Sequence, residues 1–121
     1  MGLLDGKIAL VFGVANKDSI GWGIARRLHQ EGATILFSYA AAALEKRVRP
    51  LAAEVGSDFV ELCDVSDDAQ LDAVFEKVKE QYGRIDVLVH SVAYAPREDL
   101  GGRFLDISRE GFKVALDVSA Y

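Results

Sequence analysis

The 121-residue sequence is poor in sulfur and imidazole: Cys63 is its one cysteine, and His29 and His90 are its only histidines. A lone thiol closes no intramolecular disulfide, and one thiol with two imidazoles makes no tetrahedral zinc set, so no metal is expected and a reducing, cytoplasmic setting fits. Long apolar runs are missing as well. The longest, residues 8–15, is far short of the roughly 20 residues that span a bilayer, and the start Met1-Gly2-Leu3-Leu4-Asp5-Gly6-Lys7 lacks the apolar stretch of a signal peptide. No membrane partner is expected. There is no Lys/Arg-rich run, and the formal net charge is -5, whereas a nucleic-acid or anionic-lipid surface needs a positive field to displace counterions from phosphates. No nucleic-acid partner is expected either. What the chain does have is 50% hydrophobic composition, enough for one core at this length, with no linker-like stretch and no tandem repeat. Residues 1–121 are therefore expected to belong to a single domain.

Short β-branched-rich runs alternate with longer segments of helical spacing, the signature of repeated βα units around a parallel sheet buried on both faces. Strands are predicted over residues 7–12, 34–38, 58–62 and 86–90. The first helix starts near Ile20, with Ile20, Ile24 and Leu28 at i, i+4 and i+8, and closes at Gly32. The second carries Leu44, Val48, Leu51, Ala52 and Val55 on one stripe and ends at Gly56. The third carries Leu71, Val74, Phe75, Val78 and Tyr82, is capped by Ser66 or Asp67, and stops at Gly83. A loop with Pro96, Gly101 and Gly102 leads to a last helical pattern, Phe112, Ala115, Leu116 and Ser119. The expected fold is α/β, a Rossmann-like doubly wound parallel sheet with strand order 3-2-1-4, since right-handed crossovers and a switch point beside strand one create that arrangement.

Between strand one and the first helix runs Gly13-Val14-Ala15-Asn16-Lys17-Asp18-Ser19-Ile20-Gly21-Trp22-Gly23. Glycines let a backbone turn tightly and approach a pyrophosphate, and the unpaired N–H groups of a helix's first turn attract an anion. The spacing is not G-x-G-x-x-G, because five residues separate Gly13 from Ser19. A loop whose glycines serve only chain reversal and helix–strand packing is the competing reading.

Gly13-x5-Ser19-Ile20-Gly21 resembles the variant glycine motif of the divergent short-chain dehydrogenases/reductases. Cys63-Asp64-Val65, Val89-His90-Ser91 with Ala95-Pro96, and Arg109-Glu110-Gly111-Phe112-Lys113 with Asp117 are, in register over essentially the whole chain, similar to bacterial enoyl-[acyl-carrier-protein] reductase. That resemblance implies an NADH-dependent oxidoreductase of fatty acid biosynthesis that reduces the double bond of an enoyl thioester carried on acyl carrier protein. It also implies a homotetramer, of which this chain is the N-terminal part. Dinucleotide contacts are implied at Gly13, Ser19, Ile20, Ala40, Asp64, Val65 and Val92, and a substrate contact at Ala95. Asp64 would accept a hydrogen bond from the adenine amino group, with Val65 at the ring edge; a cap on the following helix is the competing role for Asp64. Small residues at Ser91, Val92 and Ala93 would admit a ribose or nicotinamide, or serve plain strand-end packing.

The end of strand two, Ser38-Tyr39-Ala40, has no acid to accept from the adenosine ribose, and Lys46, Arg47 and Arg49 lie further on and read as the solvated face of their helix, so the residues leave NADH and NADPH both open and the resemblance tilts the choice to NADH. His90 has no Ser/Asp or Cys partner pattern and reads as a structural residue at the end of a buried strand, Cys63 as a small buried side chain, and His29 as solvated. The family's Tyr and Lys, separated by six residues on the helix after strand five, would lie beyond Tyr121. Tyr39 and Lys46 have that spacing, but after strand two, and the match is read as chance. No catalytic residue is assigned. Taken alone, residues 1–121 are expected to be inactive and poorly soluble, with strand four lacking a neighbour. A non-catalytic dinucleotide-binding module and a keto or alcohol dehydrogenase of the same superfamily are the other readings.

Overall fold

A computed structural model describes residues 2–121. The chain folds as two compact units, one running to Ser91 and one spanning Val92–Tyr121. In the first, the strands are β1 (Ile8–Phe12), β2 (Thr34–Tyr39), β3 (Val60–Leu62) and β4 (Val87–His90), and the helices are α1 (Ile20–Gln30), α2 (Glu45–Glu54) and α3 (Asp68–Tyr82). The strands form one parallel sheet in the expected order 3-2-1-4, with Leu10 opposite Leu36 and Leu88, and Phe37 opposite Val60. β1, flanked on both sides, is apolar along its whole length, and β2 is apolar between Thr34 and the buried Ser38, as doubly covered parallel strands tend to be.

Successive residues of each strand face opposite ways. Ala9, Val11, Ile35, Phe37 and Tyr39 join Trp22 and Ala25 of α1 and Val48 and Ala52 of α2 in one buried cluster, with the Trp22 and Phe37 rings 6.3 Å apart. On the opposite face the Phe12 ring meets Phe75 of α3 at 6.1 Å, and Phe59 meets Tyr82 at 6.3 Å. The α1 stripe differs from the expected one. Ile20 is 79% exposed and Ile24 also lies on the surface, while Gly21, Trp22 and Ala25 are buried. Gly21 and Ala25 let α1 approach the sheet closely while Trp22 fills the space beside them, and of the expected stripe Leu28 packs against the core. α2 continues through Pro50, which stands on its exposed side and removes one helix hydrogen bond. β4 pairs, among the described residues, with β1 alone, and its burial alternates: Leu88 is 56% exposed and His90 is exposed, not buried as expected. Its start is fixed by Asp86, whose Oδ2 accepts the Ile8 N–H at 2.8 Å; that bond and the Arg84 guanidinium hold the carboxyl below its usual range.

The second unit contains single 3-10 turns at Arg97–Asp99 and Phe104–Asp106, followed by helix α4 (Arg109–Ser119). Ser108 caps α4, its Oγ accepting from the Gly111 N–H at 2.9 Å, and Asp99 Oδ1 accepts from the Ser108 N–H at 2.9 Å. A Cβ at Gly111 would lie 1.6 Å from Asp99 Oδ2, so a larger residue there displaces that carboxylate from the cap.

The position of Trp22 yields a stability prediction for the intact protein. Trp22→Ala should destabilise by roughly 3–5 kcal/mol, because it empties a packed site, whereas Ile20→Ala should change stability by about 0.5 kcal/mol or less. Denaturant unfolding measures both; a larger loss at Ile20 than at Trp22 would contradict the observed face of α1.

Candidate functional site

The carboxyl ends of β1, β2, β3 and β4 lie side by side, and the chain leaves them at Gly13, Ala40, Cys63 and Ser91. Gly13 has φ +100°, and a Cβ there would lie 1.9 Å from the Ser91 carbonyl oxygen. The clearance that Gly13 provides is thus taken up by the backbone leaving β4. The packing role and the turn role coincide in this one glycine. Around it, the Ser91 N–H donates to the Phe12 carbonyl at 3.2 Å and the Gly13 N–H to the Ser38 carbonyl at 3.3 Å, tying three strand ends into one floor.

Ser19 occupies the N-cap of α1 but does not cap it. Its Oγ turns back into the loop and accepts from the N–H groups of Ala15 and Asn16, both at 3.0 Å, while Asn16 Oδ1 accepts from the Asp18 N–H at 2.8 Å. The amides of Ala15, Asn16, Asp18 and Ser19 are satisfied within the loop. The N–H groups of Ile20 and Gly21 donate to no group among the described residues, and no acidic side chain stands in the first turn of α1. Two free donors at the positive end of a helix, beside a turn held rigid from within, suit a pyrophosphate. Gly21 packs α1 onto that turn, since a Cβ there would stand 3.3 Å from the Val14 side chain. The exposed Ile20 side chain offers an apolar surface at the same corner.

At the end of β3, Asp64 does not cap α3. Asp67 does so, its Oδ1 accepting from the N–H groups of Ala69 at 3.0 Å and Gln70 at 3.3 Å. Asp64 Oδ1 accepts from the Ser66 hydroxyl at 2.6 Å and the Ser66 N–H at 2.9 Å, which together hold its carboxyl below the usual range. The carboxylate stays exposed and ionised, with Val65 half-buried beside it. Cys63 is buried, and burial pushes its thiol up, away from reactivity. Ala40 is exposed at the end of β2. Tyr39 is buried next to it; burial and the Glu45 carboxylate push its hydroxyl up, and Lys46 is exposed on α2, so the two do not form a catalytic pair. His29 is exposed as expected. In the second unit Val92 and Ala95 are half-buried, on a segment tied down by Ser119, whose Oγ accepts from the Tyr94 N–H at 2.9 Å.

The first unit therefore brings Gly13, Ser19, Ile20, Ala40, Asp64 and Val65 to the carboxyl end of one sheet, where open α/β sheets bind their ligands. Residues 13–121 match the family model described as enoyl-(acyl carrier protein) reductase. The chain belongs to that family. It is 52% identical over its whole length to the NADH-dependent enoyl-[acyl-carrier-protein] reductase of Aquifex aeolicus, of which it covers 45%. Its fold superimposes on the Bacillus cereus enoyl-acyl carrier protein reductase, crystallised with NADP+ and indole naphthyridinone. The TM-score is 0.95 at 48% identity, covering 99% of this chain and 48% of that one. For the Anaplasma phagocytophilum reductase in complex with NAD the TM-score is 0.92 at 36% identity, covering 97% of this chain and 45% of that one. The chain spans about half the length of these relatives or a little less.

The role of Ser66 is directly measurable. Ser66→Ala removes the hydroxyl that stabilises ionised Asp64, so the Asp64 pKa should rise toward its unperturbed value. A carboxyl NMR titration reads this, and an unmoved pKa would show that Asp64 is not oriented by Ser66.

Proposed function

We propose that this chain supplies the NADH-binding part of a cytoplasmic, homotetrameric enoyl-[acyl-carrier-protein] reductase of fatty acid biosynthesis, acting on enoyl thioesters of acyl carrier protein, and that residues 1–121 belong to one dinucleotide-binding domain. The pair of free N–H groups on Ile20 and Gly21, beside a turn braced by Ser19, carries this reading. In it the pyrophosphate is held by those two donors, with Gly13 keeping the floor beneath it closed. Ile20 gives the dinucleotide an apolar contact, and Ala40 faces the adenosine ribose. The exposed, ionised Asp64 accepts from the adenine amino group, a role freed by Asp67's taking the helix cap, and Val65 borders the ring. Val92 for the cofactor and Ala95 for the substrate complete the assignment on the family likeness. NADH bound there supplies the hydride for the double bond. The groups here position and neutralise; none of them exchanges a proton with the substrate. A cytoplasmic location accords with the absence, among the described residues, of a helix long and apolar enough to cross a membrane.

The test uses the full-length protein, with NADH affinity measured by calorimetry and NADH consumption measured with an enoyl thioester. Ser19→Ala loses two loop hydrogen bonds and should weaken NADH binding about five- to tenfold with the fold intact. Gly13→Val forces a branched side chain into the Ser91 carbonyl and should abolish binding. Full NADH affinity in a folded Gly13→Val variant, or no turnover of any enoyl thioester by the wild-type protein, would overturn the proposal.

A further inference from the structure

The Asp64 carboxylate can meet one particular atom of a bound base only if the backbone that carries it is fixed, and the pairing of β3 ends before it, at Leu62. Three hydrogen bonds form a closed circuit there instead. The Asp64 N–H donates to Gln70 Oε1 at 2.8 Å, Gln70 Nε2 donates to Asp67 Oδ2 at 3.1 Å, and the Asp67 N–H donates to the Asp64 carbonyl at 2.9 Å. A glutamine three residues after an N-cap ordinarily reaches back to the N–H of the cap residue itself. Here that N–H is spent on the Asp64 carbonyl, and Gln70, half-buried in the first turn of α3, takes the Asp64 N–H. The cap does not depend on this side chain, because Asp67 Oδ1 already accepts from the N–H groups of Ala69 and Gln70. On Asp64 itself, Ser66 occupies Oδ1 with both its hydroxyl and its N–H, whereas Oδ2 receives no donor among the described residues. The end of β3 thus presents one unused carboxylate oxygen, turned by Ser66 on a backbone seated by Gln70.

We propose that Gln70 is a positioning residue for base recognition: acting through Asp64, it holds the carboxylate where that group accepts from the amino group of adenine and rejects a base with a carbonyl oxygen in the same place. The inference rests on the dinucleotide reading above and deepens it by naming a residue that determines which purine is accepted.

The test compares NADH with its hypoxanthine analogue, in which a carbonyl replaces the adenine amino group, by measuring KM and kcat for each on the full-length protein with one enoyl thioester. The wild-type protein should prefer NADH in kcat/KM by about tenfold or more, the worth of a hydrogen bond to a charged group. Gln70→Met and Gln70→Ala both substitute strong helix formers, so α3 keeps its first turn. Each should cut the preference to about threefold or less, through a raised KM for NADH with kcat within about twofold of wild type. A wild-type preference retained in either variant, including an equal loss for both dinucleotides, overturns the proposal while the contact between Asp64 and adenine stands. Unfolding of both variants makes Gln70 a structural residue and overturns it likewise. A wild-type protein that does not distinguish the two bases overturns the Asp64 contact as well, and one that binds neither dinucleotide overturns the dinucleotide reading.

Discussion

The contact on which the site depends is the approach of the Gly13 backbone to the carbonyl of Ser91, so close that a Cβ would fall 1.9 Å from that oxygen. β1 can turn away from the sheet and β4 can end beside it only if the residue at the turn has no side chain and tolerates φ +100°. From that closure follow the placement of the loop through Ser19, the direction in which α1 starts, and the alignment of the strand ends that carry Ala40 and Asp64. The glycine acts on the ligand through the backbone it holds. Ser19, from the N-cap of α1, does the same work one turn later, spending its hydroxyl on Ala15 and Asn16 and leaving Ile20 and Gly21 as donors.

The strand order and the helix limits were legible because buried parallel strands are apolar along their length and because Gly32, Gly56 and Gly83 follow their helices with positive φ. The buried face of α1 was not. Ile20, Ile24 and Leu28 satisfy helical periodicity and Leu28 does pack against the core, but Ile20 and Ile24 are exposed because α1 lies against the sheet through Gly21 and Ala25 with Trp22 beside them. The exposure of Leu88 on β4 follows from the neighbour that strand four was expected to lack, but the exposure of His90, which reads as the end of a buried strand, was hidden.

For the site, the residues that sequence spacing marked do gather at one end of the sheet in the first unit. What spacing could not reveal was direction. Ser19 sits where a cap belongs and bonds backwards, and Asp64 and Asp67 both stand before α3, yet only Asp67 reaches its N–H groups. Choosing between two carboxylates three residues apart needs the backbone torsions at the end of β3. The Glu45–Arg49 pair, by contrast, could have been read from its i,i+4 spacing, which sets a helical acid and base side by side.

The account's central claim is that an anionic ligand docks on the N–H groups at the start of α1. Hydrogen–deuterium exchange on the full-length protein with and without NADH tests it most directly, because the amides of Ile20 and Gly21 have no partner among the described residues to protect them. Slowed exchange concentrated in residues 13–21 on adding NADH is the result the account requires. NADH binding that leaves those amides exchanging at their free rate, with protection elsewhere, would contradict it.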